Sequence, residues 1–407
     1  GAELYKVHDR RGKEKPLDTM DKASLVLLSL VVPLVLLLLP LSRPASVVTH
    51  LPGFHGRLPF RLETGYVGVD EETGAELFYY FVESERSPDT DPVILWMTGG
   101  PFCSGMVFFE VGPMKFVLAP YNGSLPQLAY NPYSWSKTTS IILLDSPVGT
   151  GFSYARDVEG YHDIGDFSFS MHVLIFLNKW FTDHPHYQSN PFFVGGSSYA
   201  GKMSPIIAQH ISQEIELGKQ PKINLKGYVV GNPVTGSDYD DNFRVPYAHG
   251  VGIISDQLYE AAIRNCKGSY IRPTDKMCAR VLNTFQNGTI GEFVRCKKSI
   301  PYTSEVPSSI KYHFNLTSRG YRSLVFSGDH DLVIPFLSTH AWIRSFNFSV
   351  VDDWRAWHLD GQAAGFTITY ANYMTFVTIK GGGHVSIEHR PKECLAMVQR
   401  WLDNEPL

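Results

Sequence analysis

The chain has 407 residues, a formal net charge of −4 and an aromatic content of 13%. This length suits one large domain or two small ones. The negative net charge argues against a nucleic-acid partner, and the aromatic content suits a large core and a lined pocket.

The first notable segment is an apolar run at residues 25–41, which follows Met20 and two charged residues. Such a run predicts a secretory signal peptide, here at residues 20–45. The run is about 17 residues long, at the lower limit for a membrane span, so a signal anchor is the alternative. We interpret residues 1–19, which are polar and charged, as an extension outside the fold.

Cysteines and glycosylation sequons after this segment fit a protein of the secretory pathway, either extracellular or vacuolar. The cysteines are Cys103, Cys266, Cys278, Cys296 and Cys394. Their spacing does not fit a zinc site, and two disulfides with one free thiol are expected in a secreted chain. The N-x-Ser/Thr sequons are at Asn122, Asn287, Asn315 and Asn347. We expect a glycoprotein with no metal, no cofactor and no stable membrane association after signal cleavage.

Short apolar segments alternate with helical patterns through most of the chain. Predicted strands lie at residues 65–69, 76–82, 92–96, 140–144, 192–194, 225–230, 324–327 and 374–379, and predicted helices include 165–184, 337–345 and 391–401. This alternation predicts a mainly parallel central sheet with helices on both faces. Residues 236–318 contain three cysteines and little strand pattern. We interpret them as a cap inserted over the C-terminal edge of the sheet, within one domain at residues 46–407.

A strand, a Gly-rich turn and a helical pattern follow one another at residues 190–211. This is the context of a nucleophile elbow, which lifts one serine hydroxyl clear of the sheet. The elbow needs small residues two positions on either side, because strand and helix come very close there. Ser198 has Gly196 and Ala200 at those positions. Ser197 would place a tyrosine at one of them, so we predict Ser198 as the nucleophile.

Two later strands end in the residues that a serine nucleophile requires. One ends in two acids, Asp329 and Asp331, and the other runs into a Gly-rich turn with His384. A serine needs a histidine base, and the base needs a carboxylate that fixes its tautomer and stabilises the imidazolium. The order Ser, Asp, His, each just after a strand, predicts an α/β-hydrolase fold.

Two backbone N–H groups are candidates for an oxyanion hole. Tyr199 follows the nucleophile, and Gly100 lies in a glycine turn after an early strand. Hydrolases of this fold take their oxyanion donors from these two positions.

Several motifs together resemble the serine carboxypeptidase family. They lie at residues 96–104 (WMTGGPFCS), 110–113 (EVGP), 144–154 (LDSPVGTGFSY), 196–201 (GSSYAG), 327–331 (SGDHD) and 382–384 (GGH). The resemblance covers the chain from about residue 47 to its end. Features similar to the plant serine carboxypeptidase-like acyltransferases are residues 51–54, 62–69 and 350–354, and Thr98 where carboxypeptidases have an asparagine.

The resemblance implies an activity and assigns roles to single residues. Those acyltransferases move an acyl group from a 1-O-β-glucose ester to an alcohol or amine acceptor in plant secondary metabolism. Ser198, Asp331 and His384 match the family's catalytic triad, with Asp331 rather than Asp329 as the acid. Gly100 and Tyr199 match its oxyanion hole. The expected partners are a small-molecule donor and acceptor.

The family's carboxylate anchor is only partly present. In the peptidases an acidic residue at the position of Ser197 pairs with the glutamate matching Glu110 and the asparagine matching Thr98. A peptide carboxylate would here face Glu110 without a proton-sharing partner, which is repulsive. This argues against peptide C-termini as substrates, and the three residues remain candidates for substrate binding.

Further implications concern the disulfides and the loop beside the oxyanion hole. The resemblance implies the pairs Cys103–Cys296 and Cys266–Cys278. Phe102 replaces a family glycine, and phenylalanine would strain the loop if that position needed a positive φ. The cap is shorter than the resemblance implies.

Three other functions stay open at this point. A serine carboxypeptidase would use the same acyl-serine chemistry on peptides. An inactive secreted protein would keep the fold without turnover. A cyanohydrin lyase is known among relatives of this fold, although no residue here points to it.

Overall fold

The computed structural model describes residues 45–105, 107–120, 123–236, 238–273, 275–286 and 300–407. The signal peptide predicted at residues 20–45 lies outside this part except for its last residue. The sequons at Asn122 and Asn287 also lie outside it, as does Cys296. Asn315 and Asn347 are exposed.

Thirteen strands occur in the described part of the chain. In chain order they are β1 (Ser46–Val48), β2 (Leu62–Asp70), β3 (Ala75–Val82), β4 (Val93–Met97), β5 (Met114–Phe116), β6 (Leu128–Tyr130), β7 (Ser140–Leu144), β8 (Phe192–Ser197), β9 (Leu225–Gly231), β10 (Arg322–Gly328), β11 (Val350–Leu359), β12 (Gln362–Tyr370) and β13 (Met374–Ile379). Eleven form one sheet in the order β1-β2-β3-β7-β4-β8-β9-β10-β13-β12-β11, and β5 pairs with β6 separately.

The centre of the sheet is parallel and both edges are antiparallel. Strands β7, β4, β8, β9, β10 and β13 pair in parallel. Strands β1 to β3 and the β11–β12 hairpin pair antiparallel at the two edges. The predicted parallel sheet therefore describes the centre only. The hairpin was not predicted, because β11 is mostly exposed or half-buried and lacks a continuous apolar run.

Ten helices lie in the described residues. They are α1 (Asp166–Asp183), α2 (Tyr199–Glu216), α3 (Asp238–Asn242), α4 (Arg244–Gly250), α5 (Asp256–Cys266), α6 (Lys276–Gln286), α7 (Ile310–Ser318), α8 (Phe336–Arg344), α9 (Ser386–His389) and α10 (Pro391–Leu402). None of these described helices has the length and the apolar character that crossing a membrane requires.

Helices cover both faces of the sheet. Val93, Leu95 and Met97 of β4 pack into a core with α1 and α2, whereas Ile94 and Trp96 pack into a second core with α10. Successive side chains of a strand point to opposite faces. Burial on both faces explains why β4 is uniformly apolar. This arrangement confirms the predicted α/β-hydrolase fold.

The segment between β9 and β10 contains the inserted helices. Helices α4 to α6 have a small core of their own, where Cys266 and Cys278 form a disulfide. The cap at residues 236–318 stays a prediction, and its range also includes α7. Helix α7 belongs to the sheet layer, because the fully buried His313 lies 2.9 Å from the Tyr228 hydroxyl of β9.

The remaining cysteines occupy two different environments. Cys103 is disulfide-bonded, and Cys296, its predicted partner, lies outside the described residues. Cys394 on α10 is a buried free thiol, and burial raises its pKa. Burial of this kind makes a structural cysteine unreactive.

Candidate active site

The turn between β8 and α2 has the geometry of a nucleophile elbow. Ser198 occupies it with φ 53° and ψ −119°, a conformation that costs a non-glycine residue about 1–3 kcal/mol. A Cβ on Gly196 would lie 2.7 Å from the Cβ of Ala200. Strand and helix are therefore too close for larger side chains, as the small residues around Ser198 predicted.

The structure connects Ser198, His384 and Asp331 by two hydrogen bonds. His384 Nε2 lies 2.9 Å from Ser198 Oγ, and its Nδ1 lies 2.8 Å from Asp331 Oδ2. The three residues follow β8, β13 and β10, whose parallel strands end at the same edge of the sheet. With a proton on Nδ1, the imidazole presents Nε2 as an acceptor to the serine hydroxyl.

The carboxylate of Asp331 is buried and surrounded by donors. Asn232 Nδ2 donates to Oδ2 over 2.7 Å, and the N–H groups of Val333 and Ile334 donate to Oδ1 over 2.8 and 3.2 Å. These bonds hold the carboxylate in position beside His384. Asn232 was not predicted from the sequence, in which its only signal is its position directly after β9.

Asp329 has a different function in the structure. Its Oδ1 accepts a hydrogen bond from the N–H of Gly381 over 2.6 Å. It therefore holds the Gly-rich loop that carries His384, whereas His384 Nδ1 donates its hydrogen bond to Asp331.

The glycine turn after β4 lies directly against the nucleophile. A Cβ on Gly99 would lie 2.6 Å from the Cβ of Ser198 and 2.7 Å from the backbone nitrogen of Tyr199. Gly100 follows with φ 120°, a conformation that L side chains rarely adopt. Tyr199 is the first residue of α2, so its N–H has no acceptor within the helix. The loop that contains Gly100 therefore lies against Ser198 and Tyr199. The close approach of Gly99 was not predicted from the sequence.

Glu110 has donors on its carboxylate from two sides. Trp96 Nε1 donates to Oε2 over 2.6 Å, and the Ser197 hydroxyl lies 3.1–3.2 Å from both oxygens. Within the described residues, the buried hydroxyl of Thr98 has no hydrogen-bond partner. The structure therefore joins Ser197 to Glu110 and leaves Thr98 outside that group.

Comparison with known proteins places this chain in a family. A family model described as serine carboxypeptidase matches residues 52–290 and 280–404. The chain therefore belongs to the serine carboxypeptidase family. Serine carboxypeptidase-like 2 of Arabidopsis thaliana is 45% identical over 414 residues, which cover 89% of this chain and 93% of that protein. Serine carboxypeptidase-like 17 of the same plant is 44% identical over 425 residues, with coverage of 92% and 97%.

A solved serine carboxypeptidase has the same fold. KEX1(delta)p, a prohormone-processing carboxypeptidase from Saccharomyces cerevisiae, superimposes with a TM-score of 0.73 at 18% identity. The match covers 90% of this chain and 97% of that structure. At this identity the likeness concerns the fold.

Phe102 fits this serine carboxypeptidase fold without backbone strain. It is absent from the described non-glycine residues with positive φ, so the strain considered from the sequence does not arise. Its side chain is 5% exposed and packs edge-on against Tyr302, with ring centroids 5.8 Å apart. Tyr302 packs edge-on against Tyr199 at 5.4 Å. Phe102 therefore supports the residue that follows the nucleophile.

A buried ion pair beneath Tyr199 was not predicted. Lys202 Nζ lies 3.0 Å from Asp166 Oδ2, and both side chains are almost fully buried. The hydroxyls of Tyr199 and Tyr302 donate to the same carboxylate over 2.6 and 2.8 Å. Burial alone would raise the pKa of Asp166, but the bonds from Tyr199 and from the N–H of Val306 outweigh it, and the pKa is lowered.

We expect Lys202→Met to lower the free energy of unfolding by about 3–5 kcal/mol, because it leaves the buried Asp166 charge without its cation. Urea denaturation measures this change. Lys219→Met is the matched control, since Lys219 pairs with Glu214 at an exposed position and should cost less than about 1 kcal/mol. Equal effects of the two substitutions would contradict the stabilising role of the buried pair.

Proposed function

We propose that this protein moves an acyl group from a 1-O-β-glucose ester to an alcohol or amine acceptor through an acyl-serine intermediate. The arrangement around Glu110 carries the proposal. A serine takes the place of the acidic partner expected in a peptidase, and both Glu110 oxygens accept hydrogen bonds. A peptide carboxylate at this position would meet the carboxyl group of Glu110, with a serine rather than an acid at position 197.

The proposed reaction uses the hydrogen-bonded residues Ser198, His384 and Asp331. His384 Nε2 takes the hydroxyl proton as Ser198 Oγ attacks the ester carbonyl, and Asp331 stabilises the imidazolium. The N–H groups of Gly100 and Tyr199 stabilise the oxyanion. Glucose leaves with the proton from His384. The acceptor hydroxyl or amine then gives its proton to His384 as it attacks the acyl-serine, and His384 passes that proton to Ser198 Oγ as the acyl–serine bond breaks.

A neutral sugar leaving group suits the site better than a charged peptide end. Each unmatched charge contact should cost about 1.5–3 kcal/mol of binding, or about 10- to 150-fold in affinity. Glucose hydroxyls can donate to Glu110 and exchange hydrogen bonds with Ser197 and Thr98, which satisfies these groups without a second charge.

The proposal includes a place of action. The predicted signal peptide and the exposed sequons at Asn315 and Asn347 suit the secretory pathway, with an extracellular or vacuolar destination. The partners are then the small-molecule donor and acceptor.

Parallel assays of the purified glycosylated protein test this function. We expect transfer from hydroxycinnamoyl-glucose to one or more acceptors in a mixed set, with some hydrolysis of the ester by water. Blocked dipeptides should release little or no C-terminal residue. Ser197→Glu should increase dipeptide cleavage at acidic pH, because the new acid can share a proton with Glu110. Ser197→Gln is its neutral control.

Efficient dipeptide cleavage by the unmodified protein, without activity on any glucose ester, would contradict the acyltransferase proposal. It would support the carboxypeptidase alternative instead.

A further inference from the structure

A cavity of about 430 Å³ lies between the inserted helices and the antiparallel edge of the sheet. This volume is within the range of about 300–1,000 Å³ that small-molecule sites occupy. Its lining residues come from α4 and the turn after it, from the loop after β10, from the start of α8 and from β11 to β13. They are Tyr247, Gly250, Val251, Asp329, His330, Phe336, Leu337, Trp354, Phe366 and Thr378. Ser198 and His384 do not line this cavity, so it is separate from the nucleophile.

Stacked aromatic rings form one wall of the cavity. Trp354 and Phe366 lie parallel, with an interplanar angle of 4° and centroids 5.4 Å apart. The imidazole of His340 stacks on Trp354 at 5.3 Å and 13°. Trp354 and Phe366 remain 38% and 44% exposed. A rigid and accessible aromatic surface is suited to binding a flat apolar ring, because its side chains lose little conformational freedom when the ligand binds.

Tyr247 and Phe336 form a second aromatic part of the lining, which is also fixed in position. The Tyr247 hydroxyl donates to the backbone oxygen of Asp329 over 2.7 Å. The Tyr247 ring packs edge-on against Phe336, with centroids 6.4 Å apart. Val251, which is 50% exposed, lines the cavity from the side of the inserted helices. A ligand ring would therefore have apolar contacts with both aromatic parts of the lining.

Asp329 and His330 form the polar end of the cavity. The Asp329 side chain is 31% exposed and that of His330 is 70% exposed. Asp329 Oδ1 accepts one hydrogen bond from Gly381, and a carboxylate has capacity for about four. The pair therefore offers an acceptor for a ligand hydroxyl. A ligand carboxylate would be repelled by Asp329.

We propose that this cavity binds an uncharged aromatic ring that carries a hydroxyl group, with the ring against Phe366 and Trp354 and the hydroxyl donating to Asp329. Binding at this cavity does not require that the reaction proposed for Ser198 be correct. The cavity volume suits a small molecule of one or two rings, and the aromatic walls favour a flat ring over an aliphatic chain.

Calorimetric titration of the full chain with three matched probes tests the site. The probes are 4-ethylphenol, 4-ethylanisole, which lacks the hydroxyl donor, and 4-ethylcyclohexanol, which lacks the aromatic ring. We expect 4-ethylphenol to bind at least about fivefold more tightly than either of the others. Phe366→Ala should weaken its binding by about three- to tenfold.

A pair of valine substitutions tests whether the probe binds in this cavity. Val251→Trp should fill the cavity and abolish binding of 4-ethylphenol. Val351→Trp is the matched control, because Val351 is 70% exposed and does not line the cavity. Equal affinity for the three probes, or equal binding by the two valine variants, would overturn the proposal. If both variants keep the melting temperature of the unmodified protein, a loss of binding is caused by the filled cavity and not by unfolding.

Discussion

Ser198→Ala is expected to abolish covalent labelling by a fluorophosphonate and to lower kcat on any acyl substrate by about 10⁴- to 10⁶-fold. The substitution removes the only oxygen within hydrogen-bonding distance of His384 Nε2, at 2.9 Å, among the described residues. The free energy of unfolding should change by less than about 1 kcal/mol, since only one small polar atom is lost. Labelling followed by mass spectrometry and a urea titration measure the two effects.

Ser197→Ala is the matched control for this prediction. Ser197 is the neighbouring residue, but its hydroxyl points to Glu110 rather than to His384. We expect labelling to be retained and activity to change far less than in Ser198→Ala. Loss of labelling in Ser197→Ala would show that the nucleophile was assigned to the wrong serine. Absence of labelling in the unmodified protein would support the inactive secreted alternative.

Asp331→Asn is expected to lower kcat by about 10⁴-fold while the fold is retained. Asparagine has nearly the same shape, but its amide has no charge with which to stabilise the imidazolium. Its NH₂ group can also turn towards His384 Nδ1 and favour the wrong tautomer. Single-turnover acylation with an activated ester measures the effect, because acylation requires the His384 base.

Asp329→Asn provides the comparison within the same loop. An amide oxygen at this position can still accept the hydrogen bond from Gly381, and His384 keeps its bond to Asp331. We expect less than about a tenfold loss of kcat. A larger loss in Asp329→Asn than in Asp331→Asn would mean that the acid was wrongly assigned between the two.

The centre of the fold was predictable because its signals are local. Strands buried on both faces, such as β4, are uniformly apolar. The turn around Ser198 needs small residues, and these can be identified directly in the sequence. The β11–β12 hairpin was missed because it lies at an edge of the sheet, where β11 is mostly exposed or half-buried and carries charged residues. The packing of α7 against the sheet was not predicted, because it depends on a contact with Tyr228, which is distant in sequence.

The sequence by itself determined the α/β-hydrolase fold, the family, and the three residues Ser198, Asp331 and His384 as candidates. Each of these three residues could be predicted from the local sequence, because it follows an apolar strand and has glycines near it. Only the tertiary structure decided that Asn232 and the N–H groups of two later residues hold the carboxylate of Asp331. It also decided that Lys202 and Asp166 form a buried pair, and that Phe366 and Trp354 stack beside a cavity. These contacts join side chains from different elements. The residue pattern within one element does not indicate which other element it will pack against.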